Sequence, residues 1–94
     1  MDLNTLQAFA DRCVREERYE TALAIYLHMA EGDLSLDGGS LAHAIGECYE
    51  KLDDLYAARS WYGRAAGENP GIDLYQRDFA RMSTVRVEDL VAGS

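Results

Sequence analysis

The chain is poor in the residues from which reactive sites are built. Of its 94 residues, two are cysteines and two are histidines. Cys13 and Cys48 have neither CxxC spacing nor a histidine pair nearby, which disfavours a disulfide framework or a zinc site. Reduced thiols buried as small hydrophobes are the expected state, and that suits a cytoplasmic location. His28 falls at a solvated position of its helix. His43 has Glu47 one helical turn later, close enough to pair, but a zinc or iron site needs three or four ordered ligands. No Ser, Cys or Lys has a base beside it in a recognisable motif, and Gly38-Gly39 reads as a loop breaker rather than a phosphate-binding loop. The expectation is a protein that is not an enzyme and carries no catalytic residue, cofactor or metal.

Positive charge is also scarce. Nine basic residues face seventeen acidic ones, a net charge of −8. Phosphate backbones and anionic bilayers would be repelled, so neither nucleic acid nor membrane is an expected partner. A basic protein or peptide is favoured, although the same charge also serves solubility. The longest apolar stretch, Ala22 to Met29, falls far short of the ~20 residues that span a bilayer. Met1-Asp2-Leu3-Asn4 carries no basic start of the kind a secretory signal has. What remains is an ordinary hydrophobic content of 48%, which suits one small folded domain.

Apolar residues recur at three- and four-residue steps, which predicts helices throughout. The expected spans are about Leu3 to Glu16, Tyr19 to Glu31, Ser40 to Leu52, Leu55 to Gly67 and Ile72 to Thr84. Glu16-Glu17-Arg18, Asp53-Asp54 and Asn69-Pro70-Gly71 are the turns between them. Gly32 is expected to end the second helix in a left-handed conformation, and Ser40 or Asp37 to cap the third.

The helices form a repeat. Leu6, Phe9-Ala10, Cys13, Ala22, Ile25-Tyr26 and Met29 return in outline 36 residues later, as Ala42, Ile45-Gly46, Tyr49, Ala58, Trp61-Tyr62 and Ala65. Small residues (Ala10, Gly46, Ala22, Ala58, Ala65) would let antiparallel helices approach, and large ones (Phe9, Ile45, Tyr26, Tyr62) would fill the gaps between hairpins. Arg86 to Ala92 matches Lys51 to Ala57 nearly residue for residue, so a third hairpin begins. A period of this length marks stacked helical hairpins, each needing a neighbour to bury its apolar face.

With Gly46, Tyr49, Ala58, Tyr62, Ala65 and Pro70 in place, the second copy resembles a tetratricopeptide repeat. The first copy departs at Cys13, Met29 and Leu34. The resemblance implies an all-α fold of antiparallel hairpins in a right-handed superhelix, as one domain. Its repeats would span residues 3–36 and 39–72, with a partial third at 73–92. It also implies a protein-interaction module, an adaptor or scaffold, that seats a peptide or protein segment in a concave groove lined by the first helix of each hairpin. Carried over by repeat position, that groove presents Asn4, Gln7, Asp11, Arg15, Ser40, His43, Glu47, Glu50 and Lys51, then Leu74, Arg77 and Arg81. None of these falls on an apolar stripe, so a solvated face explains them as well as a binding groove does. One branch of the family grips carboxylate tails of chaperones with Lys and Asn. Gln7, Asp11, Ala44, Leu74 and Asp78 stand at those positions here, and the two aspartates would repel such a tail. The alternative reading is an assembly element that pairs with another copy through the incomplete C-terminal repeat.

Overall fold

A computed structural model describes residues 2–32 and 38–83. Among the described residues the fold is all-helical: α1 (Leu3–Arg15), α2 (Tyr19–Ala30), α3 (Ser40–Lys51), α4 (Leu55–Glu68) and α5 (Asp73–Met82). Each helix packs chiefly on its neighbours in the chain, with α3 against α4 the closest pair. The third-hairpin match over residues 86–92 lies outside the described residues, as does the loop at 33–37.

Two turns are built alike, 36 residues apart. Glu16 and Leu52 close α1 and α3 with the same backbone angles, φ −91° and ψ 8°. Glu17 and Asp53 follow in the left-handed region at φ 60° and 64°. The Arg18 amide then donates to the Cys13 carbonyl at 2.8 Å, and the Asp54 amide to the Tyr49 carbonyl at 2.9 Å. This is the helix-ending arrangement in which two amides beyond the helix satisfy its last carbonyls. A three-residue link of this kind sends the next helix back along the first. Asp54 then caps α4, accepting the Ala57 amide at 3.2 Å, while Asp2 caps α1 by accepting the Thr5 amide at 2.7 Å.

Ala10, Ala22, Ala58 and Ala65 are fully buried, as the small-residue pattern predicts. A Cβ on Gly46 would lie 2.7 Å from a ring carbon of Tyr62, so the contact between α3 and α4 requires glycine there. Cys13 and Cys48 are buried free thiols, and burial, reinforced by the Glu47 charge, pushes Cys48 up to about 11. Ile45 is wholly buried, worth about 2–3 kcal/mol by area removed from water. Tyr49 packs against both core clusters, one centred on Ile45 and the other on Tyr62 and Met82.

Three local expectations are corrected. Gly32 does not end α2 in a left-handed turn: α2 closes through Glu31 in the right-handed helical region, and the left-handed glycines among the described residues are Gly38 and Gly39. Ser40 is the first residue of α3 rather than its cap, and Asp37 lies outside the described residues. Gly39 holds the N-cap position at φ 92°, where a Cβ would come within 2.9 Å of the Ala65 carbonyl oxygen; the close approach to α4 decides the residue. Phe9 is 49% exposed rather than wedged between hairpins. Its repeat partner Ile45 sits on a helix packed by both α2 and α4, whereas α1 packs chiefly on α2.

Candidate functional site

The first and third helices bring Gln7, Asp11, Ser40 and Ala44 to one cavity of about 210 Å³, backed by Tyr26, Met29 and Leu41. Tyr26 is 3% exposed, and its hydroxyl donates a hydrogen bond to Asp11. Burial, then the bond to Asp11 and its charge, hold the phenol well above its usual range, so it stays a donor. The carboxylate of Asp11, a residue of the cavity lining, is thereby fixed. Among the described residues no cation lies within ion-pair distance of it.

The third and fifth helices build something different. His43, expected on a face that packing does not explain, is only 7% exposed. Its Nδ1 lies 3.0 Å from Glu47 and its Nε2 2.7 Å from Asp78 of α5. The ring stacks on Tyr75 at 4.8 Å between centroids and meets Tyr62 at 5.3 Å. Burial opposes the charged form of the imidazole, but its hydrogen bonds to the Glu47 and Asp78 carboxylates outweigh it and leave the pKa raised. The imidazolium can donate from both nitrogens, one to each carboxylate.

Next to it, Glu50 accepts the Tyr62 hydroxyl at 2.7 Å and pairs with the Arg81 guanidinium through both oxygens, one bond being 2.9 Å. Arg81 also reaches Asp78 at 3.1 Å. The Arg81 bond, opposed by burial and aided by Tyr62, holds the Glu50 carboxyl below its ordinary value. The two carboxylates hold Arg81 well above its own. A polar cavity of about 460 Å³ opens over this network, with Lys51 at its rim.

The eleven ionic and polar groove candidates therefore divide in three. Gln7, Asp11 and Ser40 share the α1–α3 cavity. His43, Glu47, Glu50, Lys51 and Arg81 belong to the α3–α5 network and its cavity. Asn4, Arg15 and Arg77 are exposed helix positions outside both cavities. Leu74 is 43% exposed. Among these candidates, acidic Glu50 of α3 and basic Arg81 of α5 are paired with each other.

Tyr26, Tyr62, Tyr75 and Asp78 were missed as members of these arrangements. A signal was available for two of them. Tyr26 and Tyr62 stand 36 residues apart at the same repeat position, and each sends its hydroxyl to a carboxylate of the preceding helix, Asp11 and Glu50. Buried tyrosines need such an outlet.

Among the described residues no group of three His, Cys, Asp or Glu side chains is arranged to hold a metal ion. No helix among them is long and apolar enough to cross a membrane. The chain matches no protein-family model, no curated protein and no solved structure.

Proposed function

We propose that this chain is a tetratricopeptide-like interaction module, without enzymatic activity or cofactor, that seats a peptide or protein segment along the face shared by α1, α3 and α5. The observation that carries this reading is the α1–α3 cavity. Polar side chains from two different hairpins, Gln7 and Asp11 of α1 and Ser40 of α3, converge on it, and the Asp11 carboxylate is fixed by its bond from Tyr26. The repeated turns at Glu17 and Asp53 support a regular stack, for which a right-handed superhelix is the natural geometry. A net charge of −8 favours a basic segment and disfavours nucleic acid and anionic membrane. His43 lies between two carboxylates, Glu47 of its own helix and Asp78 of α5, and the bond to Asp78 ties α5 to α3. A cytoplasmic location fits the two free thiols.

The test is selection of a random-peptide display library on the immobilised domain, followed by NMR mapping of the enriched peptide. Binding mapped to α1 and α3 upholds the reading; binding mapped only to the outer faces of α2 and α4 contradicts it.

A second reading, self-assembly through the C-terminal end, draws on an open cavity of about 480 Å³ between α4 and α5, lined by Tyr56, Arg59, Ser60, Gly63 and Phe79. Tyr56 is 67% exposed there. Sedimentation velocity over a hundredfold concentration range decides this reading: a strict monomer throughout excludes it.

A further inference from the structure

The α1–α3 cavity has features that select one kind of side chain. At about 210 Å³ it is smaller than the ~300–1,000 Å³ sites that enclose whole small molecules, and its size suits one long side chain. Met29, Leu41 and Ala44 supply an apolar floor, and Gln7 and Ser40 a polar rim. Asp11 supplies a full negative charge. The Tyr26 hydroxyl occupies one position on the Oδ1 atom of Asp11, a residue of the cavity lining, which fixes the carboxylate and leaves it further acceptor positions. Glu47 adds a second negative charge to the field around Tyr26. An acidic side chain is therefore repelled, and a neutral apolar one would leave Asp11 covered but unpaired.

We propose that this cavity is the subsite for one lysine or arginine side chain of the bound segment. The methylene stem lies over Met29, Leu41 and Ala44, and the cationic head donates to Asp11. This rests on the reading of the α1, α3 and α5 face as a peptide groove, and it specifies what that groove recognises. Lys and Arg suit such a place because their stems are apolar and only their tips are charged. The occupant is fixed by charge complementarity: the pocket carboxylate lacks a cation among the described residues, in a chain whose net charge is −8.

Two measurements test it. In the first, the ¹⁵N-labelled domain is titrated with N-acetyl-arginine amide and N-acetyl-lysine amide, with N-acetyl-norleucine amide as the apolar comparison. The cationic probes should shift the amides of Gln7, Asp11 and Ala44 saturably, with norleucine at least about tenfold weaker. Asp11→Asn keeps the size of the side chain and its bond from Tyr26, and should weaken the cationic probes by about 10- to 100-fold, the value of one charge-assisted hydrogen bond. Norleucine binding as well as arginine, no saturable shift with either cationic probe, or no effect of Asp11→Asn each overturns the proposal. In the second, peptides enriched from the display library should share one basic position whose replacement by norleucine costs tenfold or more. Enriched peptides that bind on α1 and α3 without a basic position overturn the subsite and leave the groove standing. Peptides that perturb only the outer faces of α2 and α4 overturn both.

Discussion

His43 ties the fifth helix to the third, and its charge should be visible in the stability of the whole domain. The imidazole faces Glu47 on α3, Tyr62 on α4, and Tyr75 and Asp78 on α5, and Asp78 is also bonded to Arg81. Replacing it by glutamine keeps a polar side chain of similar reach that carries no charge at any pH. The charge-assisted bond to Asp78, whose side chain is 17% exposed, is worth about 1.5–3 kcal/mol. The bond to Glu47, whose side chain is 53% exposed, adds about 0.5 kcal/mol. Glutamine recovers about 1 kcal/mol through one neutral hydrogen bond. His43→Gln should therefore destabilise by about 1–3 kcal/mol at pH 5.5. The folded pKa of His43 is raised, so its contribution is fully present below the unfolded value of about 6.5 and is lost as pH rises through the folded value. Past that point the neutral ring donates from one nitrogen only, and one carboxylate faces a lone pair. Urea unfolding of both proteins from pH 5.5 to 9 measures this, and the gap between them should narrow as pH rises. A constant gap across that range, or a histidine pKa below 6.5 by NMR, would refute the reasoning.

Three further outcomes follow from the fold. Glu17→Gly and Asp53→Gly should each raise stability by about 0.5–1 kcal/mol, because both residues hold left-handed backbone that glycine adopts without steric cost; urea unfolding checks this. Gly46→Leu should destabilise by about 1–3 kcal/mol through overpacking against Tyr62, and an unchanged melting temperature would show the contact to be slack. Glu50 has a lowered carboxyl, so its contribution is present above its ordinary value near 4.3 and is lost as pH falls through the folded value. Arg81→Gln should accordingly flatten the loss of stability between about pH 5 and 3, read by urea unfolding at each pH.

Much of the helical framework could be read from local spacing. The five helix spans differ from expectation by a residue or two at their ends. The exception in kind is Ile72, which precedes α5 as its cap in extended backbone. The pairing of Gly46 with a large residue of α4 was legible because small and large positions alternate through the repeat. The His43–Glu47 pair was legible as neighbours one turn apart. Asp78 was not legible as the other partner of His43: it lies 35 residues on, and only the tertiary placement of α5 beside α3 brings it to 2.7 Å. The same holds for Glu50 and Arg81, which read as solvated groove charges and instead bridge α3 and α5. Gly39 escaped notice as a cap because a close approach from α4, absent from any local pattern, excludes every side chain there.

The central claim is that the face built by α1, α3 and α5 receives an extended peptide. The most direct measurement is the ¹H–¹⁵N spectrum of the domain saturated with a library-selected peptide. The amides of Gln7, Asp11, Ser40 and Ala44 should shift, while those of Ala24, Arg59 and Ser60 on the second and fourth helices stay in place. Shifts confined to Ala24, Arg59 and Ser60, with α1 and α3 unmoved, would contradict it.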